Sequence, residues 1–451
     1  MAVAFESDVL KKGLVRLTLP IFIELLFTYM ITFTDVFFLN HVSETSAAAV
    51  GTLMPIIVIP IVILHSLAIG TMGVIGIDLG AGNTKGIERK YFYTLLFNIA
   101  FGLIILMFYL ATHNLIGPTM GMDENMSSLA AAFLLIFCPS FLLKSIHIAY
   151  GSILNVNGWT KQNMYATVAS NLVNIVLNYA FLVHWIDIGL SPIQNVALCS
   201  TISYLFGLLL VIYAAHVSKG IRFDISLDFS DFLGFMKRVF KIGGPATVEP
   251  LSYELNRFFI TVLVVSLGAI ALSTRIYTLN LILLAVIFSQ SVGVGNRILA
   301  SHHIGARSFD KLQKQILESC ILSVGISVTL LFVTWGFSTV AFSIFTKDPQ
   351  ILALGAQLLL IDLLRHPAGA VNMVIVNTLV VSGDSKFPVT LSVASMWLVC
   401  LPLVYLFAIH LGYGLIGVWL ALLVDEYLRC AMNTIRWRTG QWQQHAVAMA
   451  A

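Results

Sequence analysis

This 451-residue chain is 58% hydrophobic and only 10% charged, with a mean hydropathy of +0.92. So few charges cannot cover the surface of a water-soluble protein of this length, which leaves a membrane as its medium. A formal net charge of +3 is too small to make a nucleic-acid surface.

Residues 1–12 are too polar for a cleavable signal peptide, so the first apolar run is expected to stay as an anchor. Twelve runs follow, over roughly 13–40, 47–79, 91–112, 127–154, 161–185, 193–217, 232–266, 269–303, 310–338, 349–381, 386–410 and 414–438. Each is about 20 residues or more, enough for a helix to cross a ~30 Å hydrocarbon core. None shows the two-residue alternation of a barrel strand. The expected fold is an all-α membrane protein with twelve transmembrane helices.

The first segment carries Pro20, then Glu24, Thr28, Thr32 and Asp35, whose steps of four, four and three share one helix face. Asp35 lies 15 residues beyond Pro20, roughly 22 Å along a helix. Its neighbours Phe33, Val36, Phe37 and Phe38 are apolar. An ionisable group at that depth reads as functional, and in such surroundings holding a proton costs less than holding a charge. Pro20 removes a backbone hydrogen bond and offers a hinge. Asp78, near the end of the second segment, reads as part of an inner gate. In the fourth, Lys144 and His147 follow a Pro139 kink; His147 reads either as a satisfied core histidine or as a cavity residue able to titrate near neutral pH.

The fifth segment places Asn171, Asn174 and Asn178 at i, i+3 and i+7, one face again. Buried amides need partners, and Asp35 is a fitting one. In the seventh, Glu249 is a second gate or charge candidate beside Glu24. Glu254–Arg257, Asp362–Arg365–His366 and Asp425–Arg429 have the spacing of neutralised helix pairs. Roles for Lys144, Arg257, Arg275, Asp362 and Arg365 stay open. The five cysteines are scattered singly, without metal or redox spacing, so no metal site is read from them.

Nineteen of the 25 Lys and Arg residues fall in alternate loops or helix ends, against Lys347 alone on the opposite side. Under the positive-inside rule both termini are cytoplasmic. A shift of 225 residues also brings the two halves into register. Pro20 and Glu24 fall on Pro245 and Glu249, Gly80-Ala81 on Gly305-Ala306, and Gly158 and Lys161 on Gly383 and Lys386. Such a repeat marks duplicated architecture. The expected organisation is an N-terminal six-helix bundle over 1–215, a cytoplasmic linker over 216–240 and a C-terminal bundle over 241–451. Six crossings each give parallel repeats, with a site expected where they meet. The register breaks at Asp35, which falls on Ile260, and at the three asparagines, which fall on Met396, Val399 and Leu403.

The loops Leu79-Gly80-Ala81-Gly82-Asn83-Thr84-Lys85 and Ile304-Gly305-Ala306-Arg307 resemble those of multidrug and toxic compound extrusion (MATE) transporters. So do the turns at Gly158…Lys161 and Gly383-Asp384-Ser385-Lys386, and the start of the seventh segment, Lys241-Ile242-Gly243-Gly244-Pro245. The resemblance implies a transporter and not an enzyme. Asp35 with Asn174 and Asn178 matches the N-lobe cation positions of the bacterial DinF-like branch, although Asn178 stands where an Asp is often found. Glu249 matches a carboxylate used by the NorM-like branch, but the acid expected with it is missing near Val371-Asn372. The implied function is efflux of amphiphilic, often cationic drugs in exchange for protons, by a monomer in the bacterial plasma membrane, among lipid, without an organic cofactor. Protonation of Asp35 and bending at Pro20 would drive it, with Thr28, Thr32, Asn171 and His147 lining the path. Two alternatives stay open: a Na⁺-coupled form of the same exchange, and a lipid-linked oligosaccharide flippase of the wider superfamily. The second needs several basic side chains in the cavity.

Overall fold

Prolines and glycines decide where these apolar runs break. A computed structural model describes residues 7–182 and 188–450, apart from the side chains of residues 32, 41, 42 and 450. The first half holds α1 (Asp8–Val42), α2 (Glu44–Gly80), α3 (Ile87–Thr119), α4 (Glu124–Phe137), α5 (Pro139–Val156), α6 (Thr160–Leu182) and α7 (Pro192–Tyr213). The second holds α8 (Phe229–Val265), α9 (Ala269–Gly305), α10 (Phe309–Gly336), the short α11 (Ser338–Ser343), α12 (Pro349–Val381) and α13 (Lys386–Ser395). After α13 come π turns and α14 (Leu401–Val404), then α15 (Gly414–Arg438) and α16 (Gln441–Ala450).

Among the described residues, nine helices are individually long and apolar enough to span a membrane. α4 and α5 form a tenth span, bent by 43° where Pro139 opens the second piece. α8 and α15, of 37 and 25 residues, carry more charge and complete the expected twelve. Large apolar side chains such as Ile104, Leu317, Phe332 and Leu398 are exposed, as a lipid-facing surface requires.

The helices pack as two compact units. One comprises Ile23–Ile75 and Asn83–Lys237; the other comprises Gly76–Gly82, the chain from Arg238 onward and the N-terminal stretch up to Phe22. The division therefore cuts α1 shortly after Pro20. Pro20 itself sits in continuous helix, and the departure from helical dihedrals is at Gly13 (φ 72°, ψ 167°). Proline's fixed φ is helical, but its missing hydrogen bond and its ring's clash with the carbonyl four residues earlier weaken the helix at that point. In the first unit, Tyr109 stacks on Phe141 and Phe133 on Phe137 above Val50 and Leu53. In the second, Ile260 packs with Val264, Leu358, Val404 and Val418 in an apolar core. The position of Asp35 is thus occupied, in the other repeat, by ordinary apolar packing.

Much of the 216–240 connection belongs to the first unit. Arg89 of α3 meets Asp224 at 3.0 Å and Asp231 at 3.2 Å, and the Tyr93 hydroxyl donates to the Asp228 carbonyl. The Ser226 hydroxyl and amide, and then Arg89, hold the Asp224 carboxyl below the usual carboxylate range. Helix resumes at Phe229, so the linker is shorter than its sequence span.

Within the second unit the ends of α2 and α9 cross at backbone distance. A Cβ on Gly80 would stand 2.2 Å from the His302 carbonyl oxygen, and one on Gly305 would stand 2.0 Å from that of Ile77. Gly80 and Gly305 are repeat counterparts, and so are Ile77 and His302; the crossing is related to itself by the internal two-fold. The turns match bond for bond. Ala81 and Gly82 donate to Ile77 and Leu79 as Ala306 and Arg307 donate to His302 and Ile304. Gly82 and Arg307 are both left-handed, at φ 72° and 52°, which for the arginine costs about 1–2 kcal/mol. Gly305→Val forces the helix ends apart and should cost about 1–3 kcal/mol. A melting curve of the purified variant checks this, and an unchanged midpoint would refute the close crossing.

Candidate ion-coupling site

Asp35 is 7% exposed and lies near the far end of α1. Its Oδ1 accepts from the Asn174 and Asn178 amides at 3.0 and 2.9 Å, and its Oδ2 from the Ser200 hydroxyl of α7 at 2.5 Å. The donors also bind one another: Asn178 donates to Asn174 Oδ1 at 3.1 Å, and Asn174 to Ser200 Oγ at 3.2 Å. The result is a closed ring around one carboxylate, built wholly of neutral donors. It suits an ionised acid, since hydrogen bonds to a charge are worth about 1.5–3 kcal/mol each.

The ring is the top of a longer ladder from α6 to α1. Asn171 donates to the Phe27 carbonyl at 2.6 Å, and Asn163 to Glu24 Oε1 at 2.8 Å. Positions 163, 171, 174 and 178 share one face of α6. Glu24 thereby joins this ladder. His147 is beside Asn163, with Lys144 and His65 within electrostatic reach. Lys144 stands over the Tyr204 ring at 4.3 Å from its centroid. Thr28 is not brought to the ring: it is exposed, and its hydroxyl returns to the Glu24 carbonyl. Thr32 lies outside the described side chains.

In the second unit the buried charges are largely neutralised in place. Arg365 meets Asp362 at 2.6 Å, and the Trp419 indole donates to the same carboxylate. Arg429 bridges Asp425 at 3.0 Å and Glu426 at 2.9 Å. Asn372 donates to Glu426 and Ser395 to Asp425, while Glu249 lies within electrostatic reach of Arg429 and Glu426. The C-terminal half thus carries its own buried charges, paired among themselves. Arg257 is paired with Glu254, Arg297 donates to Asn377 and Arg275 to Thr261. Asp78 is engaged by Arg238 at 3.3 Å, close to the Gly80–Gly305 crossing.

The MatE family model matches twice, over residues 20–180 and 245–406, starting at the 225-residue offset of the repeat. The chain belongs to the MatE family. Its members are transporters, not enzymes. Among relatives of this MatE chain, the uncharacterized transporter YisQ of Bacillus subtilis is 31% identical, covering 98% of this chain and 99% of its own. The probable multidrug resistance protein NorM of Thermotoga maritima is 22% identical over 98% and 95%. The fold is shared with the Vibrio cholerae MATE transporter VcmN in its bent form, at TM-score 0.86 and 21% identity, covering 98% of each chain.

Sequence spacing brought out Asp35, Asn171, Asn174 and Asn178 in this MatE chain but missed Asn163, Ser200 and Tyr204. Asn163 is on the same face as the other three and was legible by extension. Ser200 and Tyr204 lie on α7, one turn apart, and carry no signal on their own. Only the repeat marks them: their counterparts are Asp425 and Arg429.

Proposed function

We propose that this chain is a multidrug–proton antiporter of the bacterial plasma membrane, of the DinF-like branch, exporting amphiphilic and often cationic compounds. The carrying observation is the Asp35 ring: one buried carboxylate whose hydrogen bonds all come from neutral donors. Uptake of a proton converts Asp35 from a pure acceptor into a donor and breaks the pattern that ties α1 to α6 and α7. The same carboxylate attracts a cationic drug, so proton and drug compete for one charge. Release of the upper rungs lets α1 bend near Pro20, while its segment before Ile23 stays with the other unit. Residues 1–215 and 241–451 act as the two lobes, joined through 216–240, in a monomer with both termini cytoplasmic. Asp78 and the α2–α9 crossing then form the cytoplasmic gate.

The flippase reading is weakened because Arg257 and Arg365 are held by acids, so neither offers its full charge to a diphosphate. The Na⁺ reading has one observation in its favour. Asn171 Oδ1 and Asn178 Oδ1 are buried without a hydrogen-bond partner, and oxygens are what a hard cation binds. Everted vesicles decide between the ions. Adding a cationic drug to vesicles with a preformed pH gradient should dissipate it equally with and without Na⁺. Dissipation of a Na⁺ gradient only would overturn the proton assignment.

A further inference from the structure

Lys144 sits on α5, partly exposed, with its ammonium held on the Tyr204 ring. Tyr204 is one turn beyond Ser200, the residue whose hydroxyl donates to Asp35. Asp35 is within electrostatic reach of both Lys144 and Tyr204. Of the other titratable groups, His147 on α5 is within electrostatic reach of Lys144 and Cys199 on α7 of Asp35, while His65 on α2 reaches His147 and Glu24 on α1 is bonded to Asn163. The ring thus encloses one carboxylate, Asp35, with one ammonium, Lys144, within electrostatic reach.

The second repeat shows what these positions do when filled differently. Ser200 and Tyr204 correspond to Asp425 and Arg429, which meet at 3.0 Å. Lys144 corresponds to Gly369, whose open side faces Glu426. There the opposite charges are closed on each other, and such a pair has little charge left to exchange. In the first repeat the acid is on α1 and the base on α5. An aromatic ring holds the base, and neutral donors hold the acid. The carboxylate keeps its reactivity with a fixed positive charge nearby.

We propose that Lys144 determines which ion this transporter couples, by supplying beside Asp35 the positive charge that a sodium ion would otherwise bring. The inference rests on the antiport reading. The unpartnered oxygens of Asn171 and Asn178 are suited to a monovalent cation, and Lys144 repels one. A fixed unit charge within electrostatic reach, at an effective dielectric of ~20, weakens cation binding by roughly tenfold or more. The same charge opposes a proton on Asp35 too, but a proton forms a covalent O–H bond on the carboxylate, whereas a sodium ion must be held by a shell of oxygen ligands that here is mostly neutral amide.

The test is the thermal unfolding of the full-length protein in detergent, titrated with NaCl against choline chloride at constant ionic strength. The wild type should show no saturable sodium-dependent rise in melting temperature. Lys144→Met and Lys144→Gln should show one, with sodium affinity roughly tenfold or more tighter than any residual wild-type binding. The effect should vanish when Asp35→Asn is added, and Lys144→Arg should behave as wild type. The proposal is overturned if folded Lys144→Met or Lys144→Gln shows no sodium response. It is equally overturned if the wild type responds as strongly as they do, a result that needs no variant to fold. Failure of the antiport reading is separate: the drug would then leave the pH gradient of wild-type vesicles intact.

Discussion

Asp35→Asn should lower proton-driven drug efflux by about tenfold or more while the protein still folds. An amide fills the same volume but cannot bind and release a proton, so the coupling step is lost and not merely slowed. It also presents an NH₂ group to a ring in which Asn174, Asn178 and Ser200 all donate. One or two of those donors must turn away, and each charge-assisted bond lost is worth about 1.5–3 kcal/mol. Tenfold corresponds to about 1.4 kcal/mol, so losing a single rung is enough. Efflux of a fluorescent cationic dye from energised cells expressing equal amounts of each protein checks this. Efflux at the wild-type rate would mean that Asp35 is only a structural acid.

Arg429→Met should give a large loss of stability, about 3–5 kcal/mol, since it removes the cation from a buried ion cluster and leaves its acids behind. Arg429 touches both Asp425 and Glu426, and Glu249 lies within its electrostatic reach. Methionine fills the space without supplying charge. Adding Asp425→Ser restores the residue of the other repeat, Ser200, and removes one of the stranded carboxylates. The double variant should recover part of the loss, because coupled sites are not additive. Melting curves of the four proteins measure the coupling. Independent, additive effects would contradict the cluster.

These two sites also show how far sequence alone reaches. The helices were legible because each apolar run is long enough to span a membrane, and the break at Pro139 followed from proline chemistry. The α1–α6 pairing was legible because Asp35 and the asparagines recur at helical spacing. Two things were not. The non-helical dihedrals of α1 fall at Gly13, which the sequence reading did not single out, while the hinge candidate Pro20 lies within the helix. The third donor to Asp35 comes from α7, 165 residues away, and no spacing rule reaches across helices. The internal repeat does reach there. It pairs Ser200 and Tyr204 with Asp425 and Arg429, and so marks the same helix positions as polar in both halves.

The central claim is that Asp35 exchanges a proton for drug, and proton release on binding tests it most directly. Purified protein in weakly buffered detergent is mixed with a cationic drug, and the pH change is read with an indicator dye. Linkage requires that a drug competing with a proton release it on binding, and that acidification weaken drug binding by the same coupling. The wild type should release up to about one proton per drug bound, and Asp35→Asn should bind drug and release none. Equal release from both proteins would contradict the account.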